Sequence, residues 1–136
     1  MNTSNIIYQG ELRTEAVHVR SGVKINTDAP VDNQGKGKFF SPTDLLATSL
    51  GVCMVTIMGI AARTHGFNID GTKIDVTKVM GTSPRRVVEI IVNLHFPNSK
   101  YTDKERKIIE LCAKECPVAQ SLHPDLKQNV NFFYGN

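Results

Sequence analysis

The sequence predicts an α+β domain, and three observations carry that prediction. From Leu45 to Ala62 the chain runs for eighteen residues without a charge, LLATSLGVCMVTIMGIAA, between helix-start and helix-stop signals. Elsewhere the periodicity switches to alternation in twos, most plainly at 86–96, where Val88, Ile90, Val92, Leu94 and Phe96 share one face. Beyond that strand, Thr102-Asp103-Lys104-Glu105 forms a capping box that opens a further helix. With no repeats, low-complexity runs or linkers, the order of strands, long helix, strands, helices and strand reads as a single domain over 1–136.

The elements follow in order. Residues 6–10 and 12–20 read as two strands meeting near Gly10, Ser21-Gly22 as a turn, and 23–27 as a third strand. DAPVDNQGKGKFF (28–40) is rich in Gly, Asp and Asn and reads as an ordered loop. Ser41 is placed as N-cap and Pro42 as the first helical residue, with Asp44 at the positive end, Arg63 and His65 at the negative end, and Gly66 as the stop. The apolar residues of this helix do not keep to one face, so it is expected to be covered on nearly every side, by a sheet and by a second copy. Strands at 72–80 and 86–96, joined by Gly81-Thr82-Ser83-Pro84, are expected to form an antiparallel hairpin. The helix from Thr102 presents Ile108, Ile109, Leu111, Cys112 and Cys116, and Pro117 forces a bend or restart there. A helical turn at 117–122 and a last strand at 129–134 complete the chain.

Composition narrows the function. A chain of 136 residues with 40% hydrophobic and 21% charged residues can build a core without disulfide staples. A net charge of +3, with Lys and Arg scattered, argues against nucleic acid as a partner. The apolar run only just reaches the span of about 17–25 residues for a membrane helix, and it holds Thr48, Ser49, Thr56 and Cys53, so a core helix is expected rather than a membrane one. The opening MNTSNIIYQ lacks the basic and apolar regions of a signal peptide, which points to the cytoplasm. There the three cysteines are reduced at rest, and a redox or metal role is more plausible for them than a structural disulfide.

Cys53 lies about three turns inside its helix, too far from the start for the dipole to ionise it, so a thiolate there needs a cation brought from another element. Cys116 sits where one helix ends and Pro117 opens another, and free amides there would favour a thiolate. Two separated thiols in unequal environments are what a nucleophile and a resolving partner require. Buried core cysteines are the competing explanation. Cys112 and Cys116, four apart, with Cys53 and His123, offer a zinc site, but the tight pairs usual for tetrahedral zinc are absent, and no metal or other cofactor is expected. Met54 and Met58 read as core packing. GKGK (35–38) lacks the spacing of a phosphate loop and reads as a flexible turn. Arg85 and Arg86 read as solvated charges, and His18, His65, His95 and His123 show no dyad with a fixed partner.

The segment FSPTDLLATSLGVCM, with ECPVAQSL nearer the C-terminus, resembles the OsmC/Ohr family of thiol-dependent hydroperoxide reductases. The resemblance takes in the N-terminal strands, the SP-x-x-L-L-A…C helix and the RR-x-x-E-I strand. It implies an OsmC-like fold of antiparallel sheets packed on a long central helix, assembled as an intertwined homodimer with active sites at the subunit interface. It implies Cys53 as the peroxidatic thiol and Cys116 as the resolving one. Arg13, or less directly Arg20, is then the Arg that favours the Cys53 thiolate and polarises the peroxide. The family's Glu near the start of the central helix is not matched: Thr43 occupies its place, and Asp44, one residue later, is the nearest carboxylate. The implied activity is reduction of organic hydroperoxides in oxidative or osmotic stress defence, with a hydroperoxide as substrate and an external dithiol as reductant. Phe39, Phe40 and Met54 are candidates to line the way in for a lipophilic peroxide. The unmatched Glu leaves a second expectation open, a non-enzymatic dimer that binds a small hydrophobic ligand or senses redox state.

Overall fold

The computed structural model describes residues 1–135 and divides into two compact units, Met1–Leu46 and Ala47 onward. In the first, β1 (Ser4–Gly10), β2 (Arg13–His18) and β3 (Lys24–Asp28) form an antiparallel meander in that order. The turn between β1 and β2 passes through left-handed backbone, with φ of 86° at Gly10, 55° at Glu11 and 62° at Leu12. Register sets Thr14 opposite Thr27 and Arg13 opposite Asp28. The loop that follows holds one 3₁₀ turn, Val31–Asn33, and folds back tightly: a Cβ at Gly35 would collide with the Ala29 carbonyl. The 35–38 run is thus a close-packed turn in which the first glycine is required. Among the described residues of this unit, only Thr27, Asp28 and Ser41 are buried. Ile6, Ile7 and Tyr8 are 63–66% exposed, so the meander has no hydrophobic core of its own.

Helix α1 (Pro42–His65) runs through the boundary into the second unit. There it is joined by β4 (Lys73–Gly81), β5 (Arg86–Phe96), α2 (Asp103–Glu115), α3 (Pro117–Ser121) and β6 (Lys127–Tyr134). The sheet order is β4-β5-β6. The expected hairpin is present, β4 antiparallel to β5 with a register shift between Val79 and Met80. The last strand departs from the all-antiparallel expectation, because β6 pairs parallel to β5. A chain leaving one end of β5 and carried back by two helices must re-enter in the same direction, the crossover that parallel strands demand.

The core is built where α1 meets this sheet. Leu50, Met54, Met58, Ile90, Val92, Leu94 and Ile109 are fully buried. Gly51 permits the approach: a Cβ there would lie 2.9 Å from Val76 Cγ2 and 3.3 Å from Ile74 Cγ2. Ala47, Leu50, Met54, Met58 and Ala62 recur every three or four residues, with Gly51 beside Leu50 and four after Ala47, so the burial follows one stripe. The sheet of the same chain covers this stripe alone, and Val52 and Ile60 on the outer face are 57% and 59% exposed, the side expected to be covered by a second copy. By length and composition α1 is apolar enough to cross a membrane, but the stripe is engaged in the core.

The capping box at Thr102 is formed as expected, with Glu105 N–H donating to Thr102 Oγ1 and Thr102 N–H to Glu105 Oε1. Element ends differ from the sequence expectation by a few residues: β1 starts earlier, β2 is shorter at both ends, β3 reaches Asp28, and β6 begins at Lys127.

Candidate functional site

Two of the expected residues come together in the second unit. Cys53 projects from α1 beside the buried stripe and is partly buried. Cys116 is at once the C-cap of α2 and the N-cap of α3, in extended backbone (φ −63°, ψ 141°). That conformation suits a residue preceding Pro117, which takes the first helical position. The Cys116 thiol is fully buried, accepts the Ala119 amide at 3.3 Å, and has the Cys53 thiol as a neighbour near enough to influence its ionisation.

The sequence reading of Cys116 as a favoured thiolate is corrected here. Burial pushes its pKa up, and the Cys53 neighbour adds to the rise; the amides of Ala119 and Val118 pull it down but do not prevail. Desolvation of the anion outweighs the short helix end, and Cys116 is held as a neutral thiol. Cys112, one turn earlier, packs in the core, its thiol pushed up by burial and by the Glu115 charge. Met54, fully buried, also belongs to the core.

The remaining expected residues lie in the first unit. Arg13 projects from β2 and grips Asp28 of β3 at two points, Nε donating to Oδ1 at 2.7 Å and Nη2 to Oδ2 at 2.9 Å. The Phe39 ring lies over the guanidinium, 4.7 Å from ring centroid to Cζ. Asp28 is 1% exposed and accepts the Lys38 amide at 3.0 Å as well. Its hydrogen bond to Arg13, then the Lys38 amide and the Arg13 and Lys36 charges, hold its carboxyl below the usual range despite burial. The same partner raises Arg13. Arg20 lies beyond β2, in an exposed turn.

Asp44 is engaged at the start of α1. Its Oδ2 accepts the Ser41 amide at 2.9 Å, and its own amide donates to Ser41 Oγ at 3.1 Å, the reciprocal arrangement of a capping box. Thr43 Oγ1 lies 3.3 Å from Ser41 Oγ. Sequence reasoning missed Asp28 as the carboxylate facing Arg13. The signal was the hairpin register: pairing Thr14 with Thr27 and extending by one residue sets Arg13 against Asp28. Phe39 and Phe40 are 43% and 53% exposed and, with Lys24, Ile25, Lys38 and Asp44, line an open depression of about 560 Å³.

Three of the four imidazoles are engaged elsewhere. His95 Nε2 lies 3.1 Å from Asp75 Oδ2 and the ring stacks on Phe133, an exposed pair that the sequence did not announce. His123 Nδ1 accepts the Asp125 amide, and His18 pairs with Ser21. Among the described residues, no three His, Cys, Asp or Glu side chains converge to hold a metal.

Comparison with known proteins places the chain. None of the curated proteins compared matches it. A crystal structure from Psychrobacter arcticus 273-4, of a protein proposed to be an osmotic stress induced and detoxification response protein, is 55% identical. It superposes with a TM-score of 0.92, over 97% of this chain and 96% of that one. An OsmC-like protein from Mycoplasma pneumoniae shares the fold at 21% identity and a TM-score of 0.81, covering 98% of this chain and 96% of that one. An organic hydroperoxide resistance protein OsmC from Legionella pneumophila does so at 13% and 0.76, covering 98% of each chain. The family described as OsmC-like protein matches residues 35–131, and with that match spanning most of its length the chain belongs to the OsmC-like family.

Proposed function

We propose that the protein is a cysteine-based hydroperoxide reductase acting in oxidative stress defence in the cytoplasm. The observation that supports this reading best is that Cys53 and Cys116, thiols distant in sequence, are neighbours, the first influencing the ionisation of the second, one partly accessible and the other fully buried. In the proposed cycle the Cys53 sulfur attacks the distal oxygen of a hydroperoxide. The O–O bond breaks, the alcohol leaves with a proton, and Cys53 becomes a sulfenic acid. The neutral Cys116 thiol then condenses with it, releasing water and forming the Cys53–Cys116 disulfide. An external dithiol reduces that disulfide by exchange and closes the cycle. Arg13 is assigned the polarisation of the peroxide oxygen. For Asp44 the capping box suggests a support for the start of α1 rather than a proton carrier.

Assembly as a homodimer belongs to the same proposal. A meander without a hydrophobic core, with Ile6, Ile7 and Tyr8 exposed, and a helix with Val52 and Ile60 exposed, leave large apolar side chains uncovered by this chain. A second copy would cover it.

Binding without turnover is the second reading, and one observation favours it: the Arg13 charge is already matched by Asp28 at two points. Loss of cumene hydroperoxide in the presence of dithiothreitol, in native protein, Cys53→Ser and Cys116→Ser, separates the two. The reductase reading expects turnover in the native protein, none in Cys53→Ser, and in Cys116→Ser a sulfenic acid trapped by dimedone. Equal slow loss in native protein and Cys53→Ser would leave binding as the function.

A further inference from the structure

We propose that Asp28, a strand residue, is the positioning residue that sets the Arg13 guanidinium for the peroxide step, an inference that rests on the role given to Arg13 above. Asp28 binds the guanidinium along its Nε–Nη2 edge, and a two-point grip fixes both the plane and the in-plane rotation of the group. Phe39 closes one face. Nη1 has no hydrogen-bond partner among the described residues, so the edge turned away from Asp28 is the one left for an incoming oxygen.

Asp28 is itself fixed. It is 1% exposed, its Oδ2 also accepts the Lys38 amide, and β2–β3 register sets it directly across from Arg13. Swinging away would leave a buried carboxylate and a backbone donor without partners, a strongly unfavourable change. The carboxylate nearest the start of α1, Asp44, closes the cap with Ser41 instead. In this chain the hold on Arg13 comes from the sheet.

Two effects of Asp28 on Arg13 oppose each other, which makes the proposal decidable. As a counter-charge Asp28 weakens the guanidinium as an electrophile, and Asp28→Asn would then raise the rate. As a positioning group it supplies orientation, and Asp28→Asn would lower it. Orientation is expected to win, since misplacing a reacting group by about 1 Å costs on the order of 10²-fold.

The experiment measures kcat/KM for cumene hydroperoxide at saturating dithiothreitol in native protein, Asp28→Asn, Arg13→Ala, the double variant and Arg13→Lys. The expected result is a fall of about 10²-fold in Asp28→Asn, with no further fall when it is added to Arg13→Ala, because Asp28 acts only through Arg13. General structural damage would instead lower Arg13→Ala further, and that result overturns the proposal. Arg13→Lys keeps Asp28 paired with a cation but abolishes the fork, so it reports even if Asp28→Asn fails to fold. It is expected to fall nearly as far as Arg13→Ala, and native-like turnover in it overturns the proposal. Cys53-dependent turnover that is equal in native protein and Asp28→Asn refutes the Asp28 role alone. No Cys53-dependent turnover in the native protein removes the reductase reading and the Asp28 role with it.

Discussion

Gly51→Ala and Gly59→Ala make the same chemical change in the same helix, and only the second is expected to raise stability. Both gain the helix preference of Ala over Gly, about 0.8–1.0 kcal/mol. At Gly59 a Cβ meets nothing of this chain within 4 Å, so that gain stands alone. At Gly51 the new methyl would sit 2.9 Å from Val76 Cγ2 and 3.3 Å from Ile74 Cγ2, and either the side chains or the helix must shift. Forcing a methyl into a packed core costs about 1–3 kcal/mol. The net effect at Gly51 therefore runs from neutral to a loss of about 2 kcal/mol. The preference term is common to both variants, so the gap between them isolates the packing cost. With urea slopes of about 1–3 kcal/mol/M, a gap near 2 kcal/mol separates the midpoints by about 1 M. The assay is equilibrium urea unfolding by circular dichroism at one fixed protein concentration, since self-association shifts apparent stability. Equal midpoints for the two variants, both above native, would refute the reasoning. The spacing between α1 and the sheet would then not be limited at Gly51.

Two further outcomes test the local accounting. Thr102→Ala removes the acceptor of the Glu105 amide and is expected to cost about 1 kcal/mol, read as a lower thermal midpoint, whereas an unchanged midpoint would mean that the cap contributes nothing to α2. Asp28 carries a pKa below its unfolded value of about 3.9, so its ionised form stabilises the fold above that pH and the contribution is lost as pH falls through the folded-state pKa. Denaturation midpoints measured from pH 2 to 7 should show a gap between native protein and Asp28→Asn near neutrality that narrows in acid; a gap independent of pH would show that the carboxylate charge is not what stabilises.

The elements that could be read from the sequence are those whose signals are local. The Ser41-Pro42 start of α1, the Thr102 box, the break at Pro117 and the alternation of β5 from Ile90 to Phe96 each depend on a few adjacent residues, and each is present; at the start of β5 the register shift puts Val87 in the core in place of the expected Val88. What escaped was decided at a distance. The direction of β6 follows from the crossover through α2 and α3, which strand patterning cannot show because both directions alternate alike. The partner of Arg13 depended on one residue of register at the end of β3, where the loop-like composition after Thr27 concealed one more strand position. The state of Cys116 turned on a competition between burial and the amides of α3, and sequence displays only the amides. The pairing of Cys53 with Cys116 was suggested by family resemblance and by the inequality of their settings, not by spacing.

The two sets of residues assigned to the chemistry are held by different forces. Cys53 and Cys116 are carried by elements that share one packed core, with Leu50 and Met54 from α1, Ile109 and Cys112 from α2, and Ala119 from α3. Hydrophobic packing of this kind resists small shifts, because interiors are dense and moving one side chain requires moving several. Their relative placement should therefore survive surface changes and high salt. Arg13 belongs to a unit with no buried apolar side chain among its described residues, and its direction is fixed by Asp28, the Lys38 amide and the Phe39 ring. A charge pair on so thin a support has little packing behind it. Substitutions in the α1 core should thus act on the sulfur chemistry by way of stability, whereas substitutions at Asp28 should act on it by way of geometry.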